Sequence, residues 1–509
     1  MPPNFLPHPH SPKRVAAAPR PTWLALLALL PGLAGCTVGP TYKAPPPPDA
    51  ATFGETRSET AATVTIASAN FPYQAAGKPG SDWWRLFRSP RLDALVTEAL
   101  RNNWSIQAAQ TNLRKAAEGL HAAQGSLMPQ IDATGSEGRQ EYGAALFGPW
   151  AWTFPAFSAY SAGLDVSYDP DIFGGNHRLI QMAGAQKDAE RERRDVTMLL
   201  VIGDTVLTAF EAASTADQIA VVRSVIDTDR ETLRLATLAW QAGRKPRLDV
   251  VTAEAQLAHD QSLLPPLVNA HEAARTTLAV LTGHSPANWT APTLTLADFS
   301  LPSDIPVVVP SELVHARPDI IGAEAMMRAA NAEIGVRTAD LYPRLTLSAA
   351  VAAEGLMGGP AGAAWRLIGG AALPLFHGGT LMARKKQAEE DYRIAFDHYQ
   401  LVVINGFREV ADGLNGLKNA STELDNQRQA LTSADDALTL SQAGYQAGRE
   451  TILQPINARR LFLLARQNTV RAQTEMFRQT VRIMVATGGG LADAHVAPDQ
   501  WRSIRLAAR

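Results

Sequence analysis

Residues 445–457 read YQAGRETILQPIN, and residues 240–250 read WQAGRKPRLDV. An aromatic residue followed by Gln-Ala-Gly-Arg is thus written twice, at 240 and 445, 205 positions apart. Gly243 and Gly448 suit the left-handed conformation that ends a helix, and Pro246 and Pro455 suit the first turn of the next one. Upstream, no proline occurs from Asp171 to Lys245 or from Leu375 to Gln454. Each motif therefore predicts the tip of a helical hairpin. A helix of about 60 residues leading into it would be about 90 Å long, beyond the reach of an ordinary globular domain. Both tips lie at the same end.

The repetition extends outward from the tips. Thr282-Gly283 and Thr487-Gly488 close the two helical stretches, again 205 apart. Leu127-Met128-Pro129-Gln130 matches Leu341-Tyr342-Pro343-Arg344 at a spacing of 214, and Ile172-Phe173 with Gly174-Gly175 echoes Leu375-Phe376 with Gly378-Gly379. An internal repeat of this length means one structural unit used twice. The units are 92–283 and 312–488, joined by a linker at 284–311 and followed by a tail at 489–509. Each has a helical lead-in, 92 to about 124 and 312 to about 340. Each then has a β-hairpin at about 130–169 or 344–374, and a long helical hairpin with its tip at 240–250 or 445–457.

Period-2 alternation marks the strands. Leu345, Leu347, Ala349, Val351 and Ala353 point one way and Thr346, Ser348, Ala350, Ala352 and Glu354 the other; Ala162, Leu164, Val166 and Tyr168 oppose Ser161, Gly163, Asp165, Ser167 and Asp169. Four such strands of roughly ten residues suit a membrane barrel wall. A half-buried strand in a soluble sheet fits any one of them as well, and only the matched pair of hairpins favours the barrel. The aromatic cluster Trp150, Trp152, Phe154 and Phe157 fits an interfacial girdle or a packed loop. In the second long helix Phe396, Val403, Val410 and Leu417 recur every seven residues, with Tyr392, Tyr399, Gly406 and Gly413 in the companion register. The first copy has Val196, Leu199/Leu200, Gly203, Val206/Leu207 and Phe210 in the same phase. This is the seam of a coiled coil, although a soluble helical bundle shares its periodicity.

Lys13, Arg14 and Arg20 precede a short apolar stretch at 23–33 and then Leu33-Ala34-Gly35-Cys36. The pattern predicts a signal peptide at 1–35, and it resembles the bacterial lipoprotein signal, in which the cysteine is lipidated. Cys36 is the only cysteine, so a disulfide framework is excluded. The resemblance further implies that Thr37, not being Asp, directs the lipoprotein to the outer membrane. Residues 40–48, PTYKAPPPP, predict a stiff extended tether running from the lipid to the folded body, within a segment at 36–91. A net charge of −2 leaves no basic excess for nucleic acid. No His-Glu-x-x-His, Gly-x-Ser-x-Gly, P-loop or Cys/His metal spacing is present, so the chain is read as a non-enzyme without metal or cofactor beyond the covalent lipid.

Four strands do not close a barrel, and in lipid an open sheet edge costs several kcal/mol for each unsatisfied backbone group. Membrane strands would therefore require oligomerisation. Two copies would make eight strands with a filled interior, and three copies twelve strands around a conduit.

At this point the chain resembles the TolC-like outer-membrane efflux factors, in the OprM/NodT-like lipoprotein branch that serves RND-type multidrug pumps. The resemblance covers nearly everything after Cys36. It is carried by Cys36-Thr37-Val38-Gly39-Pro40 with Tyr42, Trp83-Trp84-Arg85-Leu86-Phe87, Leu264-Pro265-Pro266-Leu267, and Pro310-Ser311-Glu312-Leu313 with Arg317-Pro318-Asp319. Pro374-Leu375-Phe376 and Phe407-Arg408-Glu409-Val410 complete it. It implies a mixed α and β membrane protein: a homotrimer with a 12-stranded outer-membrane barrel, a coiled-coil α-helical barrel through the periplasm and an equatorial belt. The belt would draw on residues 284–310, the segment before Trp83 and the tail after Gly488. A periplasmic adaptor and an inner-membrane RND-type pump would dock on the tip turns at Gly243, Arg244, Gly448, Arg449 and Thr451. A lipid-anchored periplasmic adaptor is the alternative reading, but it would carry one helical hairpin rather than two.

One departure concerns the periplasmic aperture, expected at Gln454, Asn457, Arg449 and Asp249. Family members place a carboxylate in the Leu-Asp-Ala segment after the second tip, and some add another three residues earlier. Here these positions are Asn457, in Ile456-Asn457-Ala458, and Gln454. Asp249 in the first copy reads as a first-turn carboxylate favoured by the helix dipole. Arg244 and Arg449 fit the mouth, a pair across protomers, or a solvated surface equally well. Three amides lack the field of three carboxylates, so weaker cation selectivity and a mouth less sensitive to pH and divalent ions are expected.

Overall fold

A computed structural model describes residues 37–46, 80–141, 155–302 and 310–490. The signal segment, Cys36, the tether beyond residue 46, the aromatic residues at 150–154, linker residues 303–309 and the tail after 490 lie outside the described residues.

A 3-10 turn, Trp83–Phe87, leads into α1, Pro90–Asn102, whose first turn is capped by the Ser89 hydroxyl. The first unit continues through α2 (Trp104–Gly125), β1 (Gln130–Gln140), β2 (Phe157–Tyr168), α3 (Gly175–Gln241), α4 (Arg247–Ser262) and α5 (Leu264–Leu281). The second comprises α6 (Pro310–Ala316), α7 (Pro318–Ala339), β3 (Arg344–Leu356), β4 (Gly362–Ala372), α8 (Thr380–Gln446) and α9 (Leu453–Ala486). Helices α2 and α7 both have 22 residues, and α3 and α8 both have 67, so each long helix is about 100 Å.

The lead-ins differ from one continuous helix. Each is broken once, at Asn103 and at Arg317, where the backbone turns extended at ψ 125° and 122°. The breaks are built alike. Asn103 caps α2 and sends its amide to the Leu281 carbonyl at 2.9 Å, while Arg317 sends Nη1 to the Ala486 carbonyl at 2.8 Å. Gly283 and Gly488, both at positive φ, sit against the carbonyls of Asn102 and Ala316, where a Cβ would approach within 2.4 Å. Every one of these positions is 205 or 214 residues from its counterpart. The Thr-Gly ends therefore let the return helix of each unit meet its own lead-in.

The strands form one antiparallel sheet in the order β1-β2-β3-β4, with β1 and β4 at its edges. Its register places Ile131, Val166, Ala349 and Leu367 in one row and Asp132, Asp165, Ala350 and Arg366 in the next, giving one apolar and one polar face. On the polar face Arg366 reaches past Ala350 to Asp165 at 2.6 Å, and the Thr134 hydroxyl donates to the same carboxylate at 2.6 Å.

Along the long helices Val403, Val410 and Leu417 are buried, as are Tyr399, Gly406 and Gly413. The glycines allow close approach: a Cβ on Gly413 would lie 2.8 Å from Ile483 of α9. Phe396 and Leu200, read as seam residues, are instead exposed at 37% and 52%, because the in-chain partner helices cover only part of the seam. The return arm of the first hairpin is split at Leu263, since Pro265 and Pro266 lack the N–H groups that would continue α4. By composition α3 contains a window apolar enough to cross a membrane, and 56% of that window is buried inside the molecule. Around mid-length, Phe87, Phe210, Phe299 and Phe477 pack with ring centroids 4.8–6.1 Å apart and join α1, α3, α9 and the 284–302 segment in the largest core.

Candidate functional site: the helical tips and the N-terminal strap

Both tips end in the same hydrogen-bond pattern. Gly243 at φ +66° lets the Arg244 N–H reach the Ala239 carbonyl (2.9 Å) and its own N–H reach Trp240 (2.8 Å). Gly448 at φ +71° repeats this, with Arg449 donating to Gly444 (2.9 Å) and Gly448 to Tyr445 (3.0 Å). Of the two prolines, Pro455 lies in the first turn of α9. Pro246 instead sits one residue before α4 as its cap, extended at ψ 154°.

The tips pack on each other. Ala236, Val250, Ile452 and Ile456 form a small apolar cluster with Leu233 and Tyr445. Lys245 Nζ stands 4.8 Å from the Tyr445 ring centroid, a cation–π contact that sequence reasoning missed. Asp249, in the first turn of α4, faces Tyr445; burial first and this negative charge second push the Tyr445 phenol above its ordinary range.

Gln454 and Asn457, three residues apart on α9, share its exposed face, while Ile452 and Ile456 hold the opposite face in the core. Arg244, Arg449 and Thr451 are exposed on the turns, and neither arginine forms an ion pair among the described residues. No cluster of three or more metal-ligating side chains occurs among the described residues.

Twelve residues back from the end of α3, about 18 Å along it, lies a buried polar group. Asp229 and Asp260 are 3% and 2% exposed. Arg459 Nη1 donates to Asp229 Oδ1 at 2.9 Å and to the Thr232 hydroxyl at 3.0 Å, and Gln256 donates to Asp260 Oδ2 at 2.8 Å. Burial, and after it Asp260, push the Asp229 carboxyl up to about 6 against the opposing pull of Arg459. A signal was present in the sequence. Val222, Ile226, Asp229, Leu233 and Ala236 follow one helical stripe, and Asp229 is its polar interruption.

The N-terminal segment differs from a free tether. From Thr37 onward it lies against α3 and α7 as a strap. Val38 N–H donates to the Phe173 carbonyl at 3.2 Å, and buried Arg178 takes the Val38 and Gly39 carbonyls at 3.1 and 3.2 Å. Asn331 takes the Pro40 carbonyl at 3.1 Å, and the Tyr42 hydroxyl donates to Glu324 at 3.2 Å. Extended, proline-rich backbone satisfies none of its own carbonyls, so docking on these donors removes the spacer role from residues 37–42. Gly39, at φ +97°, passes so close to Gly335 that a Cβ would meet its Cα at 2.6 Å. The strap begins beside Gly174, at the boundary of sheet and helices, and runs away from the sheet along α7.

Comparison with known proteins agrees with this architecture. The chain is 29% identical over 443 residues to the pyoverdine export outer membrane protein OpmQ of Pseudomonas aeruginosa, covering 83% of this chain and 91% of that protein. It is 26% identical over 502 residues to nodulation protein T of Rhizobium leguminosarum bv. viciae, covering 95% and 96%. The solved outer-membrane channel OprN superposes with a TM-score of 0.80 at 25% identity, over 90% of this chain and all of that one. Residues 95–284 and 309–489, the two repeat units, match the family described as outer membrane efflux protein, and the chain belongs to that family.

Proposed function

We propose that the protein is the outer-membrane channel of a tripartite efflux system: a passive, lipid-anchored homotrimer that receives substrate from an inner-membrane RND-type pump and a periplasmic adaptor. The observation that carries this reading is the four-stranded sheet with two unpaired edges, joined directly to two helices of 67 residues. Strands of 11–13 residues are long enough to cross a bilayer at a tilt. In hydrocarbon the free N–H and C=O groups of β1 and β4 require partners, and a second copy supplies them without new chemistry. Three copies close twelve strands, with Trp365 and Leu367 toward lipid and Asp132, Asp165 and Arg366 toward the lumen.

The repeat supports this closure. Within the chain α3 packs on α7 across the two units, and α7 on α8 within the second. The same contact between α8 of one copy and α2 of the next would complete a helical ring below the barrel. Acylation of Cys36 would anchor each copy where the strap begins, at the level of the sheet. Around the three-fold axis the exposed Asn457 and Gln454 would form an amide-lined aperture, with Arg449 beside it. The turns at Gly243, Arg244, Gly448, Arg449 and Thr451 would receive the adaptor and pump. Such a conduit uses no cofactor, binds no nucleic acid and performs no catalysis. A lipid-anchored adaptor would have neither the sheet nor the second hairpin.

Native mass measurement on particles extracted from outer membranes in mild detergent tests the reading. Three chains, each lacking residues 1–35 and carrying acyl mass on Cys36, are expected. A single chain surviving gentle extraction would overturn it.

A further inference from the structure

We infer that Asp229, Asp260 and Arg459 form a proton-operated latch that holds α4 to α3 and α9 behind the tips. Three helices meet at this one point: α3 brings Asp229 and Thr232, α4 brings Asp260 and Gln256, and α9 brings Arg459. Val225, Ile226, Leu257 and Leu463 supply apolar surroundings. Asp229 Oδ2 and Asp260 Oδ1 are each buried without a hydrogen-bond partner, although the carboxyls interact with one another. Asp229 lies between the Arg459 guanidinium and a second buried acid, Asp260, so one negative charge is left uncompensated, and a proton on Asp229 removes it.

Protonated, the pair is neutral overall with Arg459, and the proton gives an otherwise orphaned oxygen a hydrogen bond. Deprotonated, two carboxylates repel each other in a site that water does not reach, and α4 is pushed from α3. The folded carboxyl is raised from 3.8 to about 6, so the linkage has a definite sign. The packing is fully present below the ordinary carboxylate range, weakens as pH rises toward about 6, and is constant above it. Mild acid tightens the latch, and neutral or alkaline solution loosens it. The cluster, unlike the expected aperture residues Gln454 and Asn457, lies inside the wall, so a mouth lined with amides still acquires pH dependence from behind. The latch stands on the packing of the described chain; its effect on transport rests on the conduit reading.

Amide hydrogen exchange of the full lipidated protein in detergent, corrected for intrinsic exchange, would be followed from pH 4.5 to 7.5. Protection of α4 is expected to fall roughly tenfold to a hundredfold with rising pH and then to level off. Asp229→Asn should hold α4 near its acid-state protection at every pH, because the amide donates where the Asp229 proton did. Asp260→Asn should act likewise and serves if the first variant does not fold. Wild-type protection independent of pH, or a step unchanged in the variants that fold, would overturn the proposal. Bilayer conductance of the same preparation separates the two readings: current without the step removes the latch alone, and the step without current removes the conduit alone.

Discussion

Gly448 and Gly488 both have positive φ, yet they answer different demands. A Cβ on Gly448 would meet nothing within 4 Å, so only its φ of +71° opposes substitution. Gly448→Ala should cost about 1 kcal/mol and loosen the tip turn without altering the fold. At Gly488 the same methyl would come within 2.4 Å of the Ala316 carbonyl, so Gly488→Ala should cost a further 1–3 kcal/mol or so as the backbone gives way. Thermal unfolding of the two variants in detergent checks the order; equal losses would mean the junction is not tightly packed. Asn457 belongs to a third class, exposed and replaceable. Asn457→Asp should raise cation preference and create divalent block in bilayer recordings while leaving stability within about 0.5 kcal/mol. Unchanged selectivity would remove Asn457 from the aperture.

Among the elements, the breaks at Asn103 and Arg317 show how one chain solves the same junction with different chemistry. Asn103 does it with a neutral cap and one amide. Arg317, 8% exposed, takes Asp319, Glu409 and the Ala486 carbonyl together. Its acid partners keep 32% and 43% of their side-chain surface in water, so the loss on Arg317→Met falls toward the lower end for a buried pair, roughly 2–3 kcal/mol. Denaturant unfolding of that variant against Asn103→Ala, expected to cost about 1 kcal/mol, measures the difference.

Much of this scale was legible in the sequence. The Gln-Ala-Gly-Arg tips, the heptads around Val403 and Val410, and the four strands follow from local periodicity and turn chemistry, which neighbouring residues alone determine. The helix breaks, the docking of Pro40 on Asn331 and the meeting of Asp229 with Arg459 do not. They join residues 291 and 230 positions apart, and the stripe that Asp229 interrupts names no partner. Phe396 and Leu200 misled for a related reason: a seven-residue period marks a seam without saying which helix covers it.

At the scale of the whole molecule, the proposed trimer would use the in-chain packing of one unit on the other as a template for the packing of one copy on the next. Gly175 and Ala339 approach so closely across α3 and α7 that a Cβ on the first would be 3.1 Å from that of the second. Their counterparts, by the same offsets of 205 and 214, are Thr380 and Gly125. Gly125→Cys with Thr380→Cys should therefore cross-link adjacent copies, because a contact of this kind is within reach of a disulfide. Covalent dimers and trimers on non-reducing gels are expected, and a purely monomeric product would contradict the ring.

The strap has a consequence in time. Its seat is built from Arg178, Glu324, Asn331 and Gly335, residues made long after the segment they hold. The end of the chain that is born first is thus among the last to find its place. Until the second unit has folded, its carbonyls belong to water, and contacts across nearly 300 residues are slow to form. With Cys36 acylated as proposed, the protein would be held by one end before it can be fastened along its side. Premature closure of the first unit would leave the berth for that end unmade.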